Sequence, residues 1–491
     1  MYSNRRRTLI ALCALLLIVA AACGQKPGVG LGALPAGAAG ENIVVDPETG
    51  ALVNTETGEI FDPETGEVIS TGSGGIIDSS GDTTSQDSGS GSTSGSETGG
   101  GSQDPGETEA EEGPEPSGGD ATGVEGDVIK IGIHAPITGA APVPSSAFEA
   151  GKDLYWNWLK ENNVKINGRD VEVVFRNDNY NPSQAVAACK EMVEQEKVFM
   201  LFGLAGVDQI QACARYAASV GVPYLSAGVT EIGLSNLPSY FALWMSYAQQ
   251  GPLLADLLVT KLGAGDEVNG MVRFNTPGFQ DAHDAYISGM SDAGADVAYD
   301  RAVSKTAGQT DAQTIATELN QQGVENVYVL TSPVWFIQLL QAAQNQGYHP
   351  QWVGVGLSMG IDTVPNVACR NQNSIQDARF LNPFPAVVDV NKYDPDFTKA
   401  GGRTDTSNGS IELGLWGMSK VAHQLLLLPG DDLTRERFVY FAERAQGVKT
   451  GVFPDLNYAP DNHLGGDAMH LLRADCSQSR WITEQSFVSD F

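Results

Sequence analysis

Six cysteines and six histidines are the residues of this 491-residue chain that could support metal or redox chemistry. Two of the cysteines, Cys13 and Cys23, lie close to the N-terminus, and the other four are spread along the chain. These four form no CxxC pair and have no histidine at metal-ligand spacing, so the sequence gives little support to zinc or thiol redox chemistry. Four cysteines allow three pairings, and structural disulfides are the simpler interpretation.

The histidines offer one candidate for a site. His134 ends a β-rich run, where a side chain can reach a ligand, although a hydrogen-bonded structural histidine is the favoured interpretation. The other histidines are scattered, and no HxxxH, GxSxG or Walker pattern occurs. A hydrolase using His134 or the acids around Asp178 would need a nucleophile and a base that no motif brings together. The sequence therefore predicts a protein that is not an enzyme, with no catalytic residue, metal or cofactor.

The N-terminal segment predicts export from the cytoplasm. Arg5, Arg6 and Arg7 precede an apolar run, 9–22, that is too short to span a bilayer. The small residues before Cys23 resemble a bacterial lipobox, although Ala20 stands where leucine is usual. We expect a signal peptide over 1–22 and an anchor to the outer face of the cell membrane through lipidated Cys23. The alternative is an ordinary secretory signal cleaved nearby, and export by either route makes disulfides possible.

The region 23–127 has the composition of a disordered acidic tether rich in Gly, Ser and Thr. Of the 60 acidic residues in the chain, 21 lie in 24–127 beside one basic residue, Lys26. A DPETG segment occurs at 46–50 and again at 62–66, and these repeats could be transient hairpin turns. The formal net charge of -31 thus comes mainly from the tether, and the remainder has no basic stripe for nucleic acid.

The remaining residues, 128–491, alternate strand and helix patterns and are long enough for two domains. Parallel sheets covered on both faces are indicated, so the fold class is α/β with two doubly wound lobes around a cleft. Ligands of such sheets bind beyond the carboxyl ends of the strands. The predicted strands are 128–134, 171–175, 198–202, 222–225, 270–274, 297–299, 326–330 and 352–355, and the predicted helices include 147–161, 208–220, 249–262, 279–293, 311–322 and 334–346.

Several segments, in this order and spacing, resemble one known family. They are IGIHAPITG at 131–139, NDNYNPSQAVAAC at 177–189, VFMLFGLAG followed by GVPYLSAGVT, and YAQQG at 247–251 followed by VYVLTSPVWFIQLLQAAQNQG. Over 128–491 the chain resembles the type I periplasmic binding proteins of the branched-chain amino-acid group. The resemblance implies lobes joined by three crossovers, one of 128–246 plus about 380–445 and the other of 247–379 plus about 446–491.

The resemblance also implies a function and partners. It identifies an extracytoplasmic solute-binding protein that captures a small molecule in the cleft and delivers it to an ABC importer of the branched-chain amino-acid or amide type. The expected partners are the solute, permease and ATPase subunits, and the membrane through the lipid anchor, with no nucleic acid, and the protein is expected to be a monomer. A ligand-sensing ectodomain working with a separate signalling partner is the alternative.

The resemblance places the ligand against loops of both lobes. The expected binding residues are Ala205, Gly206, Ser226, Gly228, Thr230, Ser332, Trp335, Gly356, Ser358 and Trp416. The two tryptophans could stack on a flat ligand or pack in the core, and Ser226 and Thr230 could instead cap turns. No hydroxyl stands near Gly206 and no acid near Gly356, where the family has them. A buried ammonium group without a counter-charge is costly, so we expect a less charged or aromatic-contacting solute.

The doubly wound topology also suggests how the cysteines pair. It places the helices that carry Cys189 and Cys213 side by side, so we predict a disulfide between them. The family returns the segment around Cys476 to the second lobe, which leaves Cys369 as its partner. Free buried thiols are the alternative.

Overall fold

The computed structural model describes residues 114–491, apart from 140, 357–361, 372 and 405–407, together with four short strands between 43 and 70. The predicted signal peptide, Cys23 and most of the predicted tether lie outside the described residues. The chain divides into two compact units, Met1–Thr108 and Glu109–Phe491.

In the first unit, four strands pair in chain order as an antiparallel sheet. They are β1 (Ile43–Val45), β2 (Leu52–Asn54), β3 (Ile60–Phe61) and β4 (Val68–Ser70). The two DPETG segments fall between β1 and β2 and between β3 and β4 in the sequence.

The second unit contains two sheets, and the first has six strands. They are β5 (Val124–Glu125), β6 (Val128–Ala135), β7 (Asp170–Asn177), β8 (Met200–Gly203), β9 (Tyr224–Ser226) and β10 (Tyr240–Ala242). All pair in parallel except β5, which is antiparallel to β6. The runs of Val, Ile and Phe suit strands that are covered on both faces.

The second sheet has seven strands, in the order β12-β11-β13-β14-β15-β16-β17. They are β11 (Asn269–Phe274), β12 (Val297–Val303), β13 (Asn326–Leu330), β14 (Gln351–Val355), β15 (Arg379–Asn382), β16 (Met469–Asp475) and β17 (Arg480–Val488). The first five are parallel, and β16 and β17 close the sheet as an antiparallel hairpin. The sequence patterns predicted β11 to β14 but neither β15 nor the hairpin.

The helices of the second unit pack around these sheets. They are α1 (Ser145–Gly151), α2 (Leu154–Glu161), α3 (Pro182–Glu194), α4 (Val207–Ser219), α5 (Tyr247–Asp256), α6 (Gln280–Asp292), α7 (Gln309–Gln321), α8 (Pro333–Asn345), α9 (Thr363–Ala368), α10 (Pro395–Lys399), α11 (Gly409–Leu427) and α12 (Arg435–Ala442). The single helix predicted over 147–161 is two helices, and the one over 249–262 ends in a π-helical turn, Leu257–Lys261.

Local hydrogen bonds explain where two helices begin. The Asn181 side chain accepts a hydrogen bond from the Gln184 amide, and Pro182 takes the first helical position of α3. The Gln184 side chain accepts a hydrogen bond from Asn179. At α5, Ser246 and Gln249 form the complete capping box.

The chain passes between the two sheets three times. It builds the first sheet up to β10 and the second from β11 to β15, and then returns in α11, which packs against α1 and α2. It finally re-enters the second sheet through β16 and β17. This course explains how residues distant in the sequence, such as α11 and the loop after β8, come to face one another.

Both predicted disulfides are confirmed. Cys189 on α3 bonds to Cys213 on α4, with their Cα atoms 6.1 Å apart, and Cys369 bonds to Cys476 at 4.9 Å. The first links neighbouring helices over the first sheet. The second ties the end of α9 to the turn of the β16–β17 hairpin, so each disulfide lies within one sheet and its helices.

The hydrophobic core extends through both sheets and their helices. No helix among the described residues combines the length and the apolar character that a membrane crossing requires.

Candidate ligand-binding groove

Strand order locates the site. In the first sheet β6 lies between β7 and β8, and in the second β11 lies between β12 and β13. The chain therefore winds first to one side of β6 and then to the other, and it does the same around β11, so the switch points lie between β6 and β8 and between β11 and β13. Loops that leave such a switch point diverge to leave a crevice. The loops after β6, β8, β11 and β13 all contribute residues to one groove.

The outer compartment of this groove encloses about 920 Å³ of space free of atoms, part of it open to solvent. Its walls carry no charged side chain among the described residues. They are formed by Ala141, Pro142, Val143, Pro144, Tyr180, Ala205, Gly206, Val207, Tyr247, Phe279, Thr331, Ser332, Pro333, Val334, Ile337, Thr363 and Ile411.

A smaller inner compartment of about 540 Å³ adjoins the outer one and shares Val143, Ala205 and Ile411 with it. Its other walls are Leu204, Trp244, Gly356, Asn382, Pro383, Phe384, Ser410, Gly414 and Met418. Leu204, Trp244 and Phe384 are at least nine-tenths buried, so the compartment is an apolar recess with two amide or hydroxyl side chains.

A buried polar triad holds the first-sheet side of the groove in place. Nδ1 of His134 lies 2.8 Å from Oδ2 of Asp178, and Nε2 lies 2.6 Å from the Tyr224 hydroxyl. All three side chains are fully buried. His134 is thus the structural histidine that the sequence favoured, because both ring nitrogens are hydrogen bonded inside the protein.

The same carboxylate shapes the loop that presents Tyr180. Oδ1 of Asp178 accepts a hydrogen bond from the Tyr180 amide at 2.9 Å, and Asn179 and Tyr180 both have a left-handed backbone, with φ of 53° and 55°. Gly139 passes so close to the Asn179 carbonyl that a Cβ there would collide with it. Burial, together with the charges of Asp208 and Asp178, raises the pKa of Tyr180 to about 12.

The second unit has two halves, each a sheet with its helices, and polar contacts join these halves beside the groove. Asp281 on α6 accepts hydrogen bonds from Thr230 Oγ1 at 2.8 Å and from the Glu231 amide at 2.6 Å. Asp208 on α4 accepts from Thr276 Oγ1 at 2.7 Å and pairs with Lys305 at 3.1 Å. We call these six residues the polar strip.

The predicted binding residues divide into three groups. Ala205, Gly206 and Ser332 line the outer compartment, and Gly356 lines the inner one. Gly206 begins α4 with φ of 88°, and Ser332 caps α8 by accepting from the Trp335 amide. Ser358 lies outside the described residues.

The predicted residues of the loop after β9 lie behind the groove, contrary to expectation. Ser226 is fully buried and donates to the Ala227 carbonyl at 2.9 Å. A Cβ at Gly228 would collide with the Trp244 carbonyl, so this glycine serves a close backbone approach. Thr230 is fully buried in the polar strip. The three residues are absent from the groove walls because their side chains bond within the protein or, at Gly228, because the backbone itself is enclosed.

Both predicted stacking residues are core residues. Trp416 is fully buried among Tyr155, Trp158 and Phe397, and its Nε1 donates to Asp394 at 2.7 Å. Trp335 is 2% exposed and packs edge-on against Phe274. The structure thus favours core packing over stacking on a ligand for both. On α11, Ile411 and Gly414 line the groove, and the Trp416 side chain points to a different side of the helix.

The expected binding residues did not include Tyr180 or Phe279, nor did they include Val143, Tyr247, Ile411 and Phe384. One signal was available for Tyr180 and Phe279, since both follow shortly after a predicted strand at the end where ligands bind. No comparable signal marks Ile411 or Phe384, because their segments reach the groove only through the later crossovers.

Comparison with known proteins agrees with this architecture. Residues 128–480 match the family described as periplasmic binding protein. A curated relative, the Leu/Ile/Val-binding protein homolog 6 of Brucella abortus (strain 2308), is 25% identical over 214 residues, which cover 42% of this chain and 52% of the relative. The chain thus spans about half the length of the curated relatives it matches.

Solved structures of similar fold bind different solutes. A branched-chain amino-acid ABC transporter protein of Thermus thermophilus with bound valine has a TM-score of 0.62 and 15% identity, covering 74% of this chain and 97% of that one. A solute-binding protein of R. palustris in complex with 4-hydroxybenzoate has a TM-score of 0.63 and 16% identity, covering 74% and 98%. A fatty acid ABC transporter substrate-binding protein of Thermomonospora curvata has a TM-score of 0.63 and 15% identity, covering 76% and 95%. Identities this low show the shared fold alone.

Proposed function

Because this chain belongs to the periplasmic binding protein family, we propose that it captures a small solute in the groove and delivers it to the permease and ATPase of an ABC importer. The observation that carries the proposal is the convergence of both switch points on one groove. Such a groove can hold a solute between two halves that move relative to one another.

The chemistry of the groove favours binding over turnover. Its described walls carry hydroxyl, amide and apolar side chains but no acid, histidine or lysine that could act as a general base. His134 is engaged on both ring nitrogens inside the protein and does not line the groove.

The polar strip supports closure around the solute. Asp281 and Asp208 lie on opposite halves, and each accepts hydrogen bonds from the other half. Two carboxylates that bridge the halves favour the closed arrangement, and solute contacts from both sides of the groove would favour it further.

We place the protein outside the cytoplasm, tethered to the membrane. The family is extracytoplasmic, and two disulfides suit an oxidising compartment. Thioether-linked lipid at Cys23 would supply the anchor. Metabolic labelling with an alkynyl fatty acid should tag the wild-type chain and not Cys23→Ala, and equal labelling of both would contradict the anchor.

Two measurements together test the importer role. One identifies a solute that the purified protein binds, and the other follows the uptake of that solute by cells. Native mass spectrometry of gently purified protein, with a thermal-shift screen of amino acids, amides, short acids and aromatic compounds, should identify a solute that raises the melting temperature. Deletion of the gene should then abolish uptake of that solute. Unchanged uptake despite binding would contradict the importer role and favour the sensing alternative, whereas chemical conversion of the solute would contradict both.

A further inference from the structure

We infer that the solute is an elongated apolar molecule without an ammonium group, and that its apolar end occupies the inner compartment beside Gly356 and Gly414. This inference rests on the proposed function and specifies the class of solute. Its basis is the shape and charge of the two adjoining compartments.

The described walls offer no counter-charge to an ammonium group. No described residue lining either compartment carries an acidic side chain. The neighbouring acid Asp362 is not part of the walls, and its Oδ1 accepts from the Trp481 amide at 3.1 Å. An ammonium group enclosed here would lose its hydration without gaining a counter-charge, which strongly disfavours binding.

The inner compartment has two polar side chains among its described walls, and each makes a hydrogen bond within the protein. The Asn382 amide nitrogen donates to the Phe384 carbonyl at 2.6 Å, and Ser410 Oγ accepts from the Asp362 amide at 3.4 Å. The remaining walls are the buried side chains of Leu204, Trp244 and Met418 and the ring of Phe384. An apolar group is therefore the occupant that these walls suit.

Two glycines leave the inner compartment open. Gly414 lies in the interior of α11, and a Cβ there would meet the Phe384 ring alone, at 3.4 Å. Three residues along, a Cβ at Gly417 would lie 2.6 Å from the Phe453 ring, so that glycine is required by packing. Glycine lowers helix stability relative to alanine, and at position 414 no packing contact requires it. The space that it leaves belongs to the inner compartment.

Gly356 opens the opposite wall. It has φ of 36°, and a Cβ there would meet Tyr247 Cε1 alone, at 3.6 Å. The polar end of the solute would remain in the outer compartment, where Tyr180, Thr331, Ser332 and Thr363 supply hydroxyl groups. The outer compartment is thus the more polar one and the inner compartment the more apolar one. A solute that extends through both should be elongated, with its polar end in the outer compartment.

Matched solutes test the class. Isothermal titration of the exported protein would compare leucinamide with isocaproamide, which is leucinamide without its amino group, and phenylalaninamide with hydrocinnamamide. Amides are used because the described walls carry no basic side chain to pair with a carboxylate. We expect the ammonium-free member of each pair to bind at least about 100-fold more tightly. Equal or tighter binding of the amino-acid amide would overturn the inference while leaving solute binding intact.

Chain length tests the inner compartment. Among acetamide, butyramide, hexanamide and octanamide, affinity should rise about fourfold for each methylene group that becomes buried. Gly414→Leu should remove this gain for the longer amides and leave the shorter ones within about threefold. Gly308→Leu, at a position where an added Cβ would have no atom within 4 Å, is the matched control and should behave as the wild type.

A graded variant covers the case in which Gly414→Leu fails to fold. Gly414→Ala fills the inner compartment by the volume of one methyl group and should weaken the binding of octanamide more than that of butyramide. Equal weakening of both amides, or no weakening of either, would overturn the placement of the apolar end. If no compound of either panel binds, the inferred class is wrong; the proposed function then fails as well only if native mass spectrometry finds no retained solute and deletion changes no uptake.

Discussion

The groove and the polar strip beside it lie at the same junction, yet they use opposite chemistry. The groove walls are apolar and uncharged among the described residues, whereas the strip consists of charge-assisted hydrogen bonds through Asp208 and Asp281. The difference separates two tasks. Burial of apolar surface selects and holds the solute, and directional polar contacts fix how the two halves meet.

Introducing a charge into the groove should have the largest effect on solute affinity. Ile411 lines both compartments, so an acid there must lose its hydration when an apolar solute enters. We expect Ile411→Asp to weaken binding by at least about 100-fold, with a free energy of unfolding within about 1 kcal/mol of wild type because the side chain faces the open groove. Ile411→Leu is the control. Retained affinity in the acidic variant would contradict the apolar assignment of the groove.

Removal of Asp281 should have an intermediate effect. Asp281→Ala leaves the Thr230 hydroxyl and the Glu231 amide without their acceptor, at a cost of about 1–3 kcal/mol in unfolding free energy by denaturant titration. Because closure is disfavoured, solute affinity should fall by up to about tenfold. Asp281→Asn keeps an acceptor oxygen and should lose less. Identical behaviour of the two variants would show that the strip does not depend on these hydrogen bonds.

Removal of Lys305 should have a small effect. Its pair with Asp208 is partly exposed, with 28% and 21% of the two side chains accessible, and such pairs contribute about 0.2–1 kcal/mol. We expect Lys305→Ala to weaken binding by less than about fivefold. At high salt the solute affinities of the wild type and the variant should become equal, since salt screens exposed ion pairs. A larger loss that salt does not reduce would mean that Lys305 contacts the solute.

Changes of pH should leave affinity unchanged for an uncharged solute. Burial raises the pKa of Tyr180, which lines the groove, to about 12, so this phenol stays neutral between about pH 5 and 9, and the described walls carry no acid, histidine or lysine. Binding isotherms across this range would check the expectation. A titration near neutral pH would show that a group outside the described walls contacts the solute.

The free energy of unfolding, in contrast to the affinity, should depend on pH through buried groups that do not line the groove. Burial lowers the pKa of His470 to about 4 from 6.5. Its contribution to stability is therefore fully present above pH 6.5 and is lost as pH falls toward 4, by about 3 kcal/mol. In His470→Gln the free energy of unfolding should decrease less between pH 6.5 and 4 than it does in the wild type. Denaturant titration of both proteins across this pH range measures the difference.

The pH dependence of stability that comes from Asp362 runs opposite to that from His470. This contrast sharpens the measurement of stability against pH. Burial raises its pKa from 3.8 to about 6, so the folded protein is favoured at low pH and loses this contribution as pH rises from 3.8 to 6. Asp362→Asn should therefore be more stable than wild type above pH 6. A loss of stability there would mean that the charged form makes a favourable contact.

Sequence patterns predicted the strand and helix alternation of 128–355 closely, because period and composition are local properties. The structure also places Ala205, Gly206 and Ser332, from the loops after β8 and β13, in the walls of the groove, and their contact with a solute stays a prediction. The expected binding residues that do not line the groove are ones whose role depends on side-chain direction. Trp416 and Thr230 are close in sequence to residues that line the groove or its loops, but their side chains form hydrogen bonds with Asp394 and Asp281.

The sequence by itself determined the α/β class, the cysteines available for pairing and the absence of an acid at Gly356, since residue type and spacing are sufficient for these. Only the tertiary structure decided which residues form the groove. Ile411, Gly414 and Phe384 meet the loop after β8 because the chain crosses between the sheets three times. Contacts between segments some 200 residues apart leave no local pattern, and the inner compartment exists through those contacts.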